Sequence, residues 1–244
     1  MGSSMSRFVV FLFFVVPFCQ SEVLRVGLPD SDYPPYHFMN AEQGGIVQDI
    51  LQRFSEQYAI EVQYSYAPEK RSQKMLDDGL LDGRIESIDW YTGSNQYYWS
   101  EAISFVEDVL VMPYGCHIPP IDELIGYVFM GRYAYTYPEF EHYFDSGVMH
   151  RENFYSEREM LLALMDWDHN QRIAVISLDA LNWYVSRDEV FKKLTVSTYN
   201  VGKAPLQLQF SATAKTSLIK EQFNDFIKSL KASGEFAKIV SRYQ

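Results

Sequence analysis

The sequence predicts an α/β protein that is built from two similar lobes. Strand and helix patterns alternate between Leu24 and Ile88, and such alternation favours a parallel sheet covered by helices. The alternation starts again at Tyr127. A weak internal echo links the halves, because Leu76-Asp77-Asp78 and Leu164-Met165-Asp166 each precede a strand pattern that begins with arginine. The length of 244 residues allows one or two domains.

Apolar periodicity gives the position of each element. Alternating apolar residues predict strands at Leu24–Leu28, Glu61–Tyr66, Arg84–Ile88, Val106–Met112, Tyr127–Arg132, Ile173–Ile176 and Leu206–Phe210. Helical spacing predicts helices at Ile46–Tyr58, Lys70–Asp78, Ser156–Met165, Asp179–Val185 and from Leu218 to near Gly234, with a short helical turn at Ile121–Ile125.

The composition indicates a folded protein that does not bind nucleic acid. Apolar residues make up 47% of the chain, which is ordinary for a protein with a real core. The 32 acidic residues outnumber the 21 basic ones and give a net charge of −11, whereas nucleic-acid binders need basic faces. Aromatic residues reach 16%, which fits either an aromatic-rich core or a cleft that stacks on a small ligand.

The first 21 residues have the layout of a secretory signal peptide. Arg7 precedes the apolar segment Phe8–Phe18, whose eleven residues are too few to span a bilayer but suit a signal-peptide core. Cys19 and Ser21 are small residues at the positions that a cleavage site requires. We therefore expect residues 1–21 to be removed. A lipid anchor at Cys19 is the less favoured alternative, because the residue before it is a bulky phenylalanine.

Motifs for catalysis and metal binding are missing from the sequence. It contains no G-x-S-x-G, G-x-x-x-x-G-K-[ST], G-x-G-x-x-G or H-E-x-x-H segment. The five histidines do not have zinc-ligand spacing. A pair of catalytic carboxylates stays open, because 32 acidic residues offer many pairs and none is singled out. We therefore expect a protein that is not an enzyme and that needs neither a metal nor a cofactor.

Several ordered motifs resemble one family, the bacterial periplasmic solute-binding proteins of family 3, which include the polar amino-acid receptors of ABC transporters. The motifs are Leu24-Arg25-Val26-Gly27, Asp32-Tyr33-Pro34-Pro35-Tyr36, Gly45-Ile46-Val47-Gln48-Asp49-Ile50, Gly79-Leu80-Leu81-Asp82-Gly83, Trp99-Ser100-Glu101-Ala102-Ile103, Asp122-Glu123-Leu124-Ile125-Gly126 and Gln209-Phe210-Ser211. The resemblance covers almost all of residues 22–244.

The resemblance implies a type II periplasmic-binding-protein-like fold, in which two α/β lobes are joined by two crossing hinge strands. These strands are expected near Phe105–Pro113 and Leu206–Ser211. Lobe 1 is then residues 22–113 with 207–244, and lobe 2 is residues 114–206. Ligand binds between the lobes, which close by a hinge motion.

Three residues near the first predicted strand are candidates for ligand binding. Asp30 stands at the carboxyl end of that strand, the rim where α/β sheets bind ligands. By the resemblance, Asp30 meets the ligand amine, and Tyr33 and Tyr36 form an aromatic wall that stacks on the ligand. Plain rim packing is the alternative for the two tyrosines.

In lobe 2, Asp179 follows the predicted strand Ile173–Ile176. It resembles the acid that pairs with the ligand's α-amino group in the family. A role as helix N-cap is the alternative, because aspartate is favoured at that position.

One departure from the family concerns the ligand carboxylate. The amino-acid receptors carry a T-x-T-x-x-R stretch whose arginine grips the α-carboxylate as a bidentate fork. The matching segment here, Asp89–Asn95, contains no arginine. Its candidate ligand-binding residues are Trp90, Thr92 and Ser94, of which the last two offer hydroxyls but no charge.

Two arginines are candidates to replace the missing one. Arg84 lies in the strand before the departing segment, and Arg132 ends the first strand of lobe 2. Arg132 and Tyr135 belong to the segment Gly131–Tyr137, where related receptors bind ligand through a loop and a helix start. A surface ion pair is the alternative for each arginine.

These observations predict a periplasmic protein that captures a small polar or cationic solute, either an amino acid or an amine. It would act as a monomer and deliver the solute to the membrane permease of an ABC transporter. Two alternatives stay open at this point. One is a dehydratase-like enzyme on the same fold, and the other is a sensory subunit that touches a membrane receptor.

Overall fold

The structure, a computed structural model, describes residues 22–40, 43–166 and 171–244. The predicted signal peptide, residues 1–21, lies outside the described residues, so its cleavage stays a prediction.

Strands and helices alternate along the described chain. The strands are β1 Glu22–Leu28, β2 Ile60–Tyr66, β3 Gly83–Glu86, β4 Tyr98–Trp99, β5 Ser104–Pro113, β6 Val128–Arg132, β7 His150–Phe154, β8 Arg172–Ser177 and β9 Leu194–Phe210. The helices are α1 Ile46–Tyr58, α2 Glu69–Asp77, α3 Pro138–Asp145, α4 Glu157–Met165, α5 Leu178–Arg187, α6 Ala214–Ala232 and α7 Glu235–Val240, with 3₁₀ turns at Ile121–Glu123 and Glu189–Lys193.

Parallel strands form the centre of each lobe, within one mixed sheet whose order is β2-β1-β3-β9-β5-β8-β6-β7. In the first lobe, β1 pairs in parallel with both β2 and β3. In the second lobe, β6 pairs in parallel with both β7 and β8. Helices connect the successive parallel strands, because parallel pairing needs a crossover connection. The expected two-lobe α/β fold of type II is confirmed.

The two lobes are joined by the antiparallel pair β5 and β9. Their register runs from Ser104 opposite Leu206 to Pro113 opposite Leu194. The first crossing strand lies where it was expected. The second was wrongly expected to start at Leu206: β9 starts at Leu194, and its first half is only partly buried, with Val201 as its fully buried residue.

Separate cores lie on the two sides of this junction. Val106 of β5 belongs to the core of the first lobe, with Leu206 and Leu208 of β9. Val109 and Leu110 of β5 belong to the two core clusters that cover the faces of the sheet in the second lobe. The lobe boundaries expected at residues 113 and 206 stay a prediction.

Four short elements were not predicted from the sequence: β4, β7, α3 and α7. β7 has the sequence HRENF and no fully buried residue, which gives it no apolar alternation. α3 begins with Pro138 at its first turn and buries one apolar residue, Phe140. Elements this short and this polar lack the periodicity on which pattern reading depends.

Candidate ligand-binding cleft

A cavity of about 80 Å³ lies between the lobes, several times the space that one water molecule needs. Both lobes and both crossing strands contribute to its wall. The described acidic residues of the wall are Glu69, Glu86, Asp108 and Glu157. The described aromatic residues of the wall are Tyr33, Trp90, Tyr135 and Tyr137. Arg132 is the basic residue among the described lining residues, so the wall has an excess of negative charge.

Asp108 lies on β5, where this strand crosses between the lobes. The register of β5 against β9 shifts between Asp108 and Val109, an irregularity of the kind that re-aims side chains beside functional sites. Gly202, the partner of Asp108 in this register, lies under the carboxylate of Glu139, because a Cβ at Gly202 would be 3.2 Å from Glu139 Oε1.

Burial, and to a smaller extent the nearby Glu139, raises the pKa of the Asp108 carboxyl to about 7. The side chain nevertheless keeps some accessible surface, which we assign to the cavity that it lines. A carboxyl group that is surrounded by protein but open to a cavity is available to a ligand.

Aromatic rings surround the same space. Tyr33 packs edge-on against Tyr135 with ring centroids 6.1 Å apart, so that the two rings meet across the cleft. Tyr33 also contacts Tyr36 at 5.2 Å. Asp108 is close enough to raise the pKa of Tyr137, although burial of this tyrosine is the larger cause. A carboxylate beside several aromatic faces is the arrangement that binds organic cations.

The guanidinium of Arg132 is already engaged by protein groups. It forms a buried ion pair with Glu157, the first residue of α4. Ser156 Oγ caps this helix by accepting from the backbone N–H of Glu159 (3.1 Å), which fixes the helix start beside Arg132. Arg132 Nη2 donates to Ser31 Oγ of the first lobe (2.5 Å), and the guanidinium lies 5.0 Å from the ring centre of Tyr135.

Arg84 is buried between two carboxylates. Its Nη2 lies 3.0 Å from Glu69 Oε2, and it also pairs with Glu86. Glu69 and Glu86 line the cavity, whereas Arg84 is not among the lining residues. The pKa of Glu69 is raised to about 7, mainly by burial; Arg84 opposes this rise and Glu86 adds to it.

Asp179 contacts the first lobe directly. Tyr36 Oη donates to Asp179 Oδ2 at 2.5 Å, a bond that joins the loop after β1 to the first turn of α5. Ser177, and not Asp179, is the N-cap of this helix, since Ser177 Oγ accepts from the backbone N–H of Ala180 (3.3 Å). The N-cap alternative for Asp179 was therefore wrong.

The other predicted residues lie in different surroundings. Asp30 is exposed and lines a smaller cavity beside the main one. Trp90 lines the main cavity, but Thr92 and Ser94 lie on an exposed segment and are not among the residues that line it. The structure thus brings Tyr33, Trp90 and Tyr135 together with Arg132, and it leaves the two hydroxyl residues outside.

Four acidic wall residues and Tyr137 were missed from the sequence. Asp108 carried a partial signal, because two adjacent acids, Glu107 and Asp108, interrupt the apolar strand Val106–Met112, and burying a charge there costs free energy unless it is paired. The other three acids gave none: Glu69 and Glu157 occur in polar segments among other charged residues, and Glu86 lies in the predicted strand Arg84–Ile88, where alternation allows a polar residue.

These features define a two-lobe binding protein with a ligand cleft at its hinge. Residues 24–244 match the model of one family, the bacterial extracellular solute-binding proteins, family 3. The chain belongs to this family, and the expected resemblance is confirmed. Among curated proteins, no sequence matches the chain.

Solved structures with the same fold include proteins with different roles. A substrate-binding protein of an ABC uptake transporter from Streptococcus pneumoniae, with bound histidine, has a TM-score of 0.73 and 18% identity over 91% of this chain and 92% of that one. The GluR0 ligand-binding core from Nostoc punctiforme, in complex with L-glutamate, has a TM-score of 0.72 and 15% identity over 91% and 98%. The ancestral amino-acid-binding protein AncCDT-1, a precursor of cyclohexadienyl dehydratase, has a TM-score of 0.68 and 15% identity over 91% and 94%. At such identities the likeness shows the fold.

Within residues 22–40, 43–166 and 171–244, no helix combines the length and the apolar character that a membrane span requires.

Proposed function

We propose that the chain is a periplasmic solute-binding protein that captures a small cationic solute through an amine. The observation that carries this proposal is the carboxyl group of Asp108, which is open to the cleft at the crossing strands. The charged neighbour that shifts its pKa is another carboxylate, Glu139, and not a cation. A ligand amine would supply the missing positive charge.

The free energy of this arrangement favours a cationic ligand. An ionised carboxylate inside a protein costs several kcal/mol unless it is paired. An ammonium group in the cavity would offset that cost at Asp108. The aromatic wall adds cation–π attraction of about 0.5–2 kcal/mol.

A ligand carboxylate finds no free partner among the described wall residues. Arg132 is paired with Glu157 and donates to Ser31. Arg84 is held by Glu69 and Glu86. A carboxylate would therefore have to displace a protein carboxylate from either arginine. We propose that Asp108 and the aromatic wall, and neither arginine, determine which solute binds.

Standard α-amino acids are accordingly expected to bind more weakly than amines without a carboxylate. The lost charged fork costs about 1.5–3 kcal/mol, roughly tenfold to more than a hundredfold in affinity. A thermal-shift screen should compare the twenty amino acids with primary and quaternary amines. A bound amine at 100 times its Kd adds about 2.7 kcal/mol, which raises Tm by roughly 5–11 °C. A large shift with an amino acid that Arg132→Ala abolishes would contradict the proposal.

Closure of the lobes around the solute is the proposed mechanism. Tyr36→Phe removes the hydrogen bond to Asp179 and should destabilise the closed form by about 1–2 kcal/mol, weakening binding roughly fivefold to thirtyfold. Calorimetry measures the affinity, and small-angle scattering should show a radius of gyration that decreases on binding. Tyr98→Phe, at an exposed tyrosine, is the matched control. Unchanged affinity in Tyr36→Phe would show that this contact does not hold the lobes together.

We propose that the protein acts as a monomer and delivers the captured solute to the permease of an ABC transporter. The family assignment and the similarity to a substrate-binding protein of an ABC uptake transporter support it. Neighbouring genes for a permease and an ATPase would agree with uptake, whereas a neighbouring receptor kinase gene would favour sensing.

An enzyme on the same fold is the second candidate function. Asp108 and Glu69 line one cavity and both have a pKa of about 7, which suits a general acid and base. The similarity to a precursor of cyclohexadienyl dehydratase agrees with this candidate. Mass spectrometry of each bound solute after incubation distinguishes the two: an unchanged solute supports binding, and a converted one supports catalysis.

A further inference from the structure

A second, smaller cavity adjoins the main one and shares part of its wall. Pro29, Glu69, Arg132 and Tyr135 line both cavities. The second cavity, the outer cavity, measures about 30 Å³ and has room for a group of two or three heavy atoms. The main cavity is called the inner cavity below.

The outer cavity combines acidic and aromatic groups. Asp30 lines it and is exposed. Tyr133 and Tyr155 also line it, with 49% and 70% of their surfaces exposed and ring centroids 5.1 Å apart. Tyrosine faces beside a carboxylate are suited to an organic cation, both here and in the inner cavity.

The two cavities are linked electrostatically through Glu69. Burial is the main cause of the raised pKa of Glu69, and Asp30 is one of the carboxylates that raise it further. Asp30 therefore lies close enough to Glu69 for their charges to repel. Arg132, in the shared wall, has its charge balanced by Glu157. The inner cavity thus contains the carboxyl group of Asp108 and the outer cavity that of Asp30, and the wall shared by the two cavities includes Pro29 and Tyr135.

We propose that the solute is an elongated dication, with one amine at Asp108 in the inner cavity and a second amine at Asp30 in the outer cavity. The carbon chain between the amines would lie along Pro29 and Tyr135. This inference rests on the proposed function, because it extends the same amine-binding site. It narrows the substrate class from amines in general to α,ω-diamines.

Calorimetry with a series of α,ω-diaminoalkanes of increasing length, each beside the n-alkylamine of the same length, tests the inference. At the best length, the diamine should bind roughly 1.5-fold to fivefold more tightly than the monoamine, the range expected for one more, partly exposed ion pair. Added salt should reduce this ratio, because Asp30 is exposed.

Two variants show whether the gain arises in the outer cavity. In Asp30→Asn, the ratio of diamine to monoamine affinity should fall to about one. Tyr155→Ala should reduce the same ratio by removing one aromatic face. Asp225→Asn, which removes an exposed charge on α6 that lines neither cavity, should keep the wild-type ratio.

The outcomes separate this inference from the proposed function. Equal binding of diamines and monoamines at every length would overturn the inference and leave amine binding intact. An Asp30→Asn variant that keeps the wild-type ratio would also overturn it. Binding of neither kind of amine would overturn the proposed function itself.

Discussion

Asp108→Asn should weaken the binding of a cationic solute roughly hundredfold to several thousandfold. Removing one partner of a buried ion pair typically costs about 3–5 kcal/mol, because the other charge is left uncompensated. The amide of asparagine has nearly the same shape as the carboxylate, so the cavity and its aromatic wall should be preserved. Isothermal titration calorimetry with the strongest amine from the thermal-shift screen measures the loss.

Asp225→Asn is the matched control for this experiment, since it also removes one negative charge but lies exposed on α6. Comparing the two variants separates a local ion pair from a change in the overall field of the acidic chain. A loss of less than about threefold in Asp108→Asn would show that the amine binds elsewhere in the cleft.

Asp108→Asn should also stabilise the ligand-free protein at pH 8. The pKa of Asp108 is about 7 in the folded chain, against about 3.9 when the chain is unfolded. Because the folded value is the higher one, the folded state holds the proton more tightly. The stability from this group is therefore greatest below about pH 4, decreases as the pH rises towards 7, and stays low above that.

Asparagine cannot ionise and avoids this cost. The free energy of unfolding should rise by about 2–4 kcal/mol at pH 8, allowing for partial solvation through the cavity, and Tm should rise by roughly 4–16 °C. At pH 5 the difference between Asp108→Asn and the wild type should shrink to about 1 kcal/mol. Thermal or urea unfolding at both pH values gives the comparison. A variant that is less stable than the wild type at pH 8 would contradict the account.

Weaker binding together with higher stability in Asp108→Asn would show that Asp108 serves ligand binding at the expense of stability. A carboxylate that destabilises the empty protein is retained at the cleft, and the energy of its unpaired charge is available when a cation binds. A residue that lowers the stability of the ligand-free protein in this way is expected at a functional site.

Elements with strong periodicity could be read directly from the sequence. α1 begins and ends where its apolar spacing predicts, because Ile46, Ile50 and Phe54 make one buried face. β9 was missed over its first half, because that half is only partly buried and is held in place by its pairing with β5. That pairing joins residues far apart in the chain, and no local pattern records it.

Some residues of the candidate site could likewise be predicted from the sequence, and others could not. Tyr33 and Tyr135 were identified from family motifs, and the structure brings them to one cavity wall. The acids Glu69 and Glu86 reach that wall from α2 and β3, and their common partner Arg84 becomes apparent only in three dimensions. The charge of the cleft is a sum over residues from several elements, so no single motif could predict it.

Identification of the solute that the purified protein carries tests the central claim most directly. The chain should be purified without added ligand and denatured, and the released small molecule identified by mass spectrometry. The account predicts an amine that lacks a carboxylate, held at Asp108 and the aromatic wall. A released α-amino acid or organic acid would contradict it, because such a solute needs a free cationic partner that neither Arg84 nor Arg132 provides.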